Sequence, residues 1–121
     1  MNEENHIEKR EHERKKMNRY LEVFENDSDK LFGHLVNITP KGMQLLLNQK
    51  LSPKTPIKVK LLLPPGVRDE KYFHLTGTTV WTKEDSIPDH YRSGFLLNDV
   101  SPEDIQIILI FISLLDANEQ S

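Results

Sequence analysis

Cysteine is absent from this sequence, and tryptophan occurs only once. Without cysteine, the chain can form neither a disulfide framework nor a thiolate metal site. The five histidines lack the close spacing of metal ligands, so we expect no metal ion and no other cofactor. A chain free of cysteine also suits a reducing compartment, and we expect a cytoplasmic protein.

Long hydrophobic runs and catalytic motifs are missing too. The first 16 residues are charged throughout and lack the apolar segment of a secretory signal. The longest apolar stretch, Ile105–Leu115, is shorter than the roughly 20 residues that cross a bilayer, so we expect no membrane insertion. No nucleophile–base signature, glycine-rich phosphate loop or acid–base pair of carboxylates appears. We therefore expect a binding protein and not an enzyme.

Charge is distributed unevenly along the chain. Residues 9–19 carry six basic and two acidic residues, a local charge of +4, whereas the rest of the chain sums to −7. Residues 1–17 also lack apolar periodicity, which predicts a flexible basic N-terminal arm followed by one domain over residues 18–117. A basic arm on an acidic body indicates a local anion site and argues against an extended nucleic-acid-binding face.

Short apolar segments separated by turn residues predict a mainly β domain. The clearest is Ile57–Leu63, in which every second residue from Ile57 is apolar and the residues between are Lys58, Lys60 and Leu62, the period-two pattern of a half-buried strand. Short strands at this spacing favour a closed or nearly closed antiparallel β-barrel. The six predicted strands are Tyr20–Glu25, Leu31–Ile38, Met43–Leu47, Ile57–Leu63, Tyr72–Thr82 and Tyr91–Leu97.

The C-terminal segment reads as a helix over about residues 101–115. Ser101 and Pro102 suit the N-cap and first helical positions, and Asp104 supplies the acid of a capping box. The apolar run that follows has almost no polar face, so the helix must be covered on more than one side. We expect it to pack over one mouth of the barrel and to leave an apolar face for a partner, in a monomer or weak homodimer.

Two short motifs carry the candidate ligand chemistry. The first is Arg10-Glu-His-Glu-Arg14, directly after Lys9; the second is Asn37-Ile-Thr39-Pro-Lys-Gly42, at the end of the second predicted strand. A guanidinium forms paired hydrogen bonds with planar or anionic acceptors, which lysine cannot do as well. Either motif alone is weak evidence, because such spacings occur by chance.

Taken in this order, the two motifs resemble those of the PilZ domain family, an Arg-x-x-x-Arg arm followed by Asp/Asn-x-Ser-x-x-Gly. The segment Gly77-Thr-Thr-Val80-Trp81 is similar to the family's Gly-x-Val-x-Trp strand, and Arg92-Ser-Gly94-Phe95 is similar to its last strand. The resemblance implies a six-stranded barrel with a C-terminal helix. It also implies that the ligand is the bacterial second messenger cyclic di-GMP.

The resemblance also implies the residues of the site. They are Lys9, Arg10, Arg14, Asn37, Thr39 and Gly42. Thr39 replaces the family's serine, and its added methyl group is expected to cost about 1 kcal/mol of binding. A second register of the arm, Lys15-x-x-x-Arg19, stays open. We expect Trp81 to lie in the barrel core.

Three functions follow as hypotheses. The leading one is a stand-alone bacterial cyclic di-GMP receptor that passes its signal to an unidentified effector protein. The alternative keeps the PilZ fold as a protein–protein adaptor that does not bind the dinucleotide. A single-stranded nucleic-acid binder is a third, disfavoured by the acidic body of the chain and its few aromatic residues.

Overall fold

The computed structural model describes residues 19–120. Its strand ends differ from the predicted ones by no more than two residues, but the helix extends to Gln120, because good helix formers such as Ala117 and Glu119 follow the apolar run. The elements are β1 (Leu21–Glu25), β2 (Leu31–Ile38), β3 (Gly42–Leu47), β4 (Pro56–Leu62), β5 (Tyr72–Glu84), β6 (Tyr91–Asn98) and α1 (Pro102–Gln120).

The six strands form a closed antiparallel barrel in the order β1-β2-β3-β6-β5-β4. The barrel closes where β1 pairs with β4, with Phe24 opposite Lys60. The non-sequential pairing of β3 with β6 places the turn after β2 beside the last strand. This architecture confirms the predicted six-stranded antiparallel barrel with a C-terminal helix.

Side chains at alternate positions along the strands fill the barrel interior. Met43, Leu45 and Leu47 are buried on one side of β3, as predicted, and Val59 of β4 belongs to the same core cluster. Because side chains alternate between the two faces of a strand, Gln44 faces outward between Met43 and Leu45. Polar side chains such as that of Gln44 therefore lie on the outer face of the barrel.

Helix α1 starts with the predicted capping box. The Ser101 hydroxyl accepts a hydrogen bond from the Asp104 backbone N–H, and the Asp104 carboxylate accepts one from the Ser101 N–H, both at 3.1 Å. Phe111 stacks on Phe73 of the barrel interior with 5.8 Å between ring centroids, so the helix covers the barrel core. Within the described part of the chain, no helix has the length and hydropathy of a membrane span.

Candidate ligand-binding site

The turn between β2 and β3 is held by the Thr39 side chain. The Thr39 hydroxyl oxygen accepts hydrogen bonds from the backbone N–H groups of Lys41 and Gly42, each at 3.2 Å. The Thr39 N–H donates to the Gly42 carbonyl at 2.8 Å, which closes a turn with Pro40 at its second position. The Thr39 side chain therefore shapes the site by hydrogen bonding to the backbone of the turn. The motif did not reveal this role.

Gly42 is required by the close approach of β3 to β6. A Cβ atom at this position would lie 2.7 Å from the carbonyl oxygen of Phe95, an atom of the neighbouring backbone. The position requires the absence of a side chain and not a positive φ angle. Gly42 thus holds the motif turn tightly against β6.

Four residues form a row across the outer face of β2, β3, β6 and β5. Asn37 is opposite Gln44, Gln44 is opposite Gly94, and Gly94 is opposite Trp81. The row therefore offers two side-chain amides at one end and an indole at the other. Gly94 has no side chain, and the space that a side chain would fill there is taken by the indole of Trp81.

Trp81 lies on the outside of the barrel, and the expectation that it belongs to the core is wrong. A β-bulge between Thr79 and Trp81 inserts Val80, so that two residues of β5 face one residue of β6. The inserted residue reverses the alternation that would have turned Trp81 inward. The indole of Trp81 instead lies against Gly94, where a Cβ atom would overlap the ring.

The first cleft lies between the motif turn and Trp81 and has a volume of about 320 Å³. Val80 and Leu96 on its wall are exposed by 50% and 57%, so the cleft has an apolar side. Lys83 Nζ lies 5.4 Å from the centroid of the Trp81 ring, which adds a positive charge beside the indole. The lining of the first cleft comprises Asn37, Thr39, Gly42, Met43, Gln44, Val80, Trp81, Gly94, Phe95 and Leu96.

A second cleft of about 410 Å³ adjoins the first and shares Asn37 and Gln44 with it. Its lining is charged, in contrast to that of the first cleft. Arginines come from the start of the described chain and from β6, and carboxylates come from the end of α1. The lining residues are Arg19, Tyr20, Val36, Asn37, Gln44, Arg92, Leu115, Asp116 and Glu119.

Arg92 is fixed at the base of the second cleft. Its Nη2 lies 3.2 Å from Asp85 Oδ1 and donates to the Tyr20 hydroxyl at 3.3 Å. The Asp85 side chain is only 8% exposed, and its other oxygen accepts a hydrogen bond from the Ile87 N–H at 3.0 Å. Arg92 Nε is buried and has no hydrogen-bond partner among residues 19–120. The cleft lining thus contains a guanidinium that Asp85 and Tyr20 hold in position.

Three of the six predicted site residues meet at the first cleft, namely Asn37, Thr39 and Gly42. The other three, Lys9, Arg10 and Arg14, lie outside the described residues, as does most of the predicted arm. Sequence reasoning missed the site residues Gln44, Trp81 and Arg92. The alternation of β3 showed that Gln44 faces outward, but only the register with β2 and β6 places it in the row.

His34 of β2 is a half-buried histidine outside these clefts. Burial lowers the pKa of His34 below its ordinary value of 6.5; nearby Glu22 opposes this shift and His90 adds to it. Because the folded state resists protonation, the unfolded state takes up a proton first as the pH falls below 6.5. The contribution of neutral His34 to the free energy of unfolding is complete above pH 6.5, and it is lost as the pH falls through the lowered pKa.

We therefore expect His34→Gln to flatten the acid side of the stability profile. Urea unfolding of the wild type should show the free energy of unfolding falling between about pH 7 and pH 5, and the variant should lose less over the same range. Equal losses in the two proteins would show that His34 does not contribute to the acid sensitivity.

Comparison with known proteins agrees with this geometry. A closed six-stranded barrel with a C-terminal helix and a polar strand-end turn defines a class of small β-barrel domains, and the PilZ domain model matches residues 8–113. The chain belongs to the PilZ domain family. A search of curated proteins found no significant match.

Two solved structures share the fold. One is the inhibitor of motility MotI/DgrA of Bacillus subtilis, with a TM-score of 0.60, 12% identity, and coverage of 84% of this chain and 49% of that chain. The other is the PilZ domain of YcgR from Escherichia coli with c-di-GMP, with a TM-score of 0.55, 19% identity, and coverage of 84% and 86%. The chain thus spans about half the length of MotI and most of the YcgR domain.

Proposed function

We propose that this chain is a cyclic di-GMP receptor that transmits the signal to a partner protein. The observation that carries the proposal is the row of Asn37, Gln44, Gly94 and Trp81, which joins two clefts beside the motif turn. The related YcgR domain is described with c-di-GMP, and MotI is described as an inhibitor of motility. Family membership and the two clefts therefore support cyclic di-GMP as the ligand and signal transmission as the role.

The ligand has two guanine bases and two phosphates, so its receptor needs faces on which the bases can stack and polar groups for the base edges and the phosphates. In the first cleft, the indole of Trp81 and the apolar side chains suit a base, which stacks on aromatic rings regardless of its edge. The side-chain amides of Asn37 and Gln44 provide donors and acceptors for a guanine edge. The arm arginines Arg10 and Arg14, with Lys9, supply charge-assisted hydrogen bonds to phosphates or guanine.

The output of such a receptor is a change in the surface around the site. Arg19 and Tyr20 connect the arm to β1 and line the second cleft, so a ligand that engages the arm also acts on this part of the barrel. A ligand shifts a conformational equilibrium only by its difference in affinity for the two states. Contacts made jointly by the arm and the clefts provide that difference, and an effector protein would read the ordered surface.

Stacking on Trp81 is directly testable by substitution. Trp81→Ala is expected to weaken cyclic di-GMP binding by about 1–3 kcal/mol, whereas Trp81→Phe retains an aromatic face and should lose less. Titration calorimetry of the full chain measures both, and a thermal melt of each variant checks the fold. Equal affinity of the alanine variant and the wild type would exclude the first cleft as a base site.

The proposal as a whole is tested by titrating the full chain with cyclic di-GMP. Saturable binding supports the receptor function. A folded chain that binds none of the dinucleotide would favour the alternative adaptor function, in which the same barrel contacts proteins without the ligand. A gel shift with generic RNA, run beside the titration, addresses the nucleic-acid hypothesis, which predicts binding with steep salt dependence.

A further inference from the structure

The end of α1 contributes two carboxylates to the second cleft. Asp116 and Glu119 are three residues apart, so they lie on the same side of the helix, and both line the cleft together with Arg19 and Arg92. Within residues 19–120, neither carboxylate takes part in an ion pair, whereas Asp85 holds Arg92 from another side. The cleft lining therefore contains cations and carboxylates that do not form ion pairs with each other.

Helix stability does not explain these acids. The C-terminal end of a helix carries a partial negative charge, which favours basic residues and disfavours acidic ones. The first turn of α1 contains acidic residues, which are favourable there. The last turn of α1 contains no basic residue. Asp116 and Glu119 therefore carry negative charge at the end of the helix where it stabilises the helix least.

The two kinds of charged group match the two hydrogen-bonding edges of guanine. One edge presents the acceptors O6 and N7, which a guanidinium binds with paired hydrogen bonds. The other edge presents the N1–H and the 2-amino group, two adjacent donors that one carboxylate can accept together. Adenine has an acceptor at N1 and no 2-amino group, so a carboxylate at that position repels it. A phosphate group would be repelled as well.

We propose that the second cleft is a guanine-selective pocket in which Asp116 and Glu119 of α1 read the edge bearing N1–H and the 2-amino group. Arg92 and Arg19 contact the opposite edge of the same base. This inference rests on the proposed cyclic di-GMP function and specifies how the site distinguishes guanine from adenine. It also makes α1 part of the ligand site, beyond its role in covering the barrel core.

The test uses the full chain with Asp116→Asn and Glu119→Gln combined, because the amides keep the shape of the side chains but remove their charge. Wild type and variant are titrated with cyclic di-GMP and with cyclic di-AMP. We expect the variant to lose about tenfold or more in cyclic di-GMP affinity, equivalent to about 1.4 kcal/mol. The preference for guanine over adenine should fall by a similar factor.

Glu103→Gln at the opposite end of α1 is the matched control, because it removes one exposed acid from the same helix outside the cleft. It should leave both affinities unchanged. An unchanged preference in the double variant would overturn the inference while leaving the receptor function intact. Tighter cyclic di-GMP binding would also overturn it, because the carboxylates would then be repelling the ligand. A wild type that binds neither dinucleotide would overturn both the inference and the proposed function.

Discussion

Replacing Arg14 by alanine is expected to weaken cyclic di-GMP binding by about 2–4 kcal/mol, roughly 30- to 1,000-fold. The loss is large because a guanidinium makes charge-assisted, paired hydrogen bonds, and its removal leaves a phosphate or guanine edge without a partner. Titration calorimetry of the full chain provides the measurement. The barrel should remain folded, so the thermal melt of the variant should match that of the wild type.

Arg19→Ala is the informative comparison for Arg14→Ala. Arg19 belongs to the second register of the arm and lines the second cleft, so its removal should weaken binding, but by less than the loss of Arg14. Lys15→Ala removes a neighbouring cation and should have a smaller effect, because an ammonium group cannot make the paired hydrogen bonds of a guanidinium. A larger loss for Lys15 and Arg19 than for Arg14 would show that the second register binds the ligand.

Phe111→Ala is expected to lower the free energy of unfolding by about 3–5 kcal/mol. Phe111 is 1% exposed and stacks on Phe73, so its truncation leaves a cavity between α1 and the barrel. Urea unfolding followed by circular dichroism gives the change in free energy. This substitution has the largest expected effect on stability because Phe111 is the largest fully buried side chain of the helix.

Leu109→Ala on the same helix is the control for Phe111→Ala. Leu109 is 47% exposed, so its truncation removes little buried surface and should cost less than about 1 kcal/mol. A similar small loss for Phe111→Ala would contradict the packing of α1 over the barrel core. A large loss for Leu109→Ala would instead indicate that this exposed position is covered in solution, as in the predicted weak homodimer.

The barrel was predictable from the sequence because its strands alternate regularly and are separated by clear turn residues. Ile57–Leu63 shows this pattern, and the structure has a strand there over Pro56–Leu62. The capping box of α1 was equally clear, since Ser101 and Asp104 are the residue types that such a cap needs. These features depend on neighbours in sequence, and such local patterns are visible without a structure.

The composition of the site was predictable only in part. Asn37, Thr39 and Gly42 belong to one turn, so their motif identified them together. Trp81 was misplaced because a single inserted residue in β5 reverses its side, and no residue type marks that bulge. Gln44 and Arg92 enter the site through pairing between strands that are distant in sequence, which no local pattern encodes. The contact residues of the arm stay predictions, since Arg10 and Arg14 lie outside the described residues.

Titration calorimetry of the full chain with cyclic di-GMP tests the central claim most directly. The account predicts saturable heat release with a dissociation constant in the micromolar range or below, accompanied by a change in the fluorescence of Trp81, the only tryptophan of the chain. The same titration with cyclic di-AMP should give much weaker binding. A folded sample that shows neither heat nor a fluorescence change at saturating cyclic di-GMP would contradict the account.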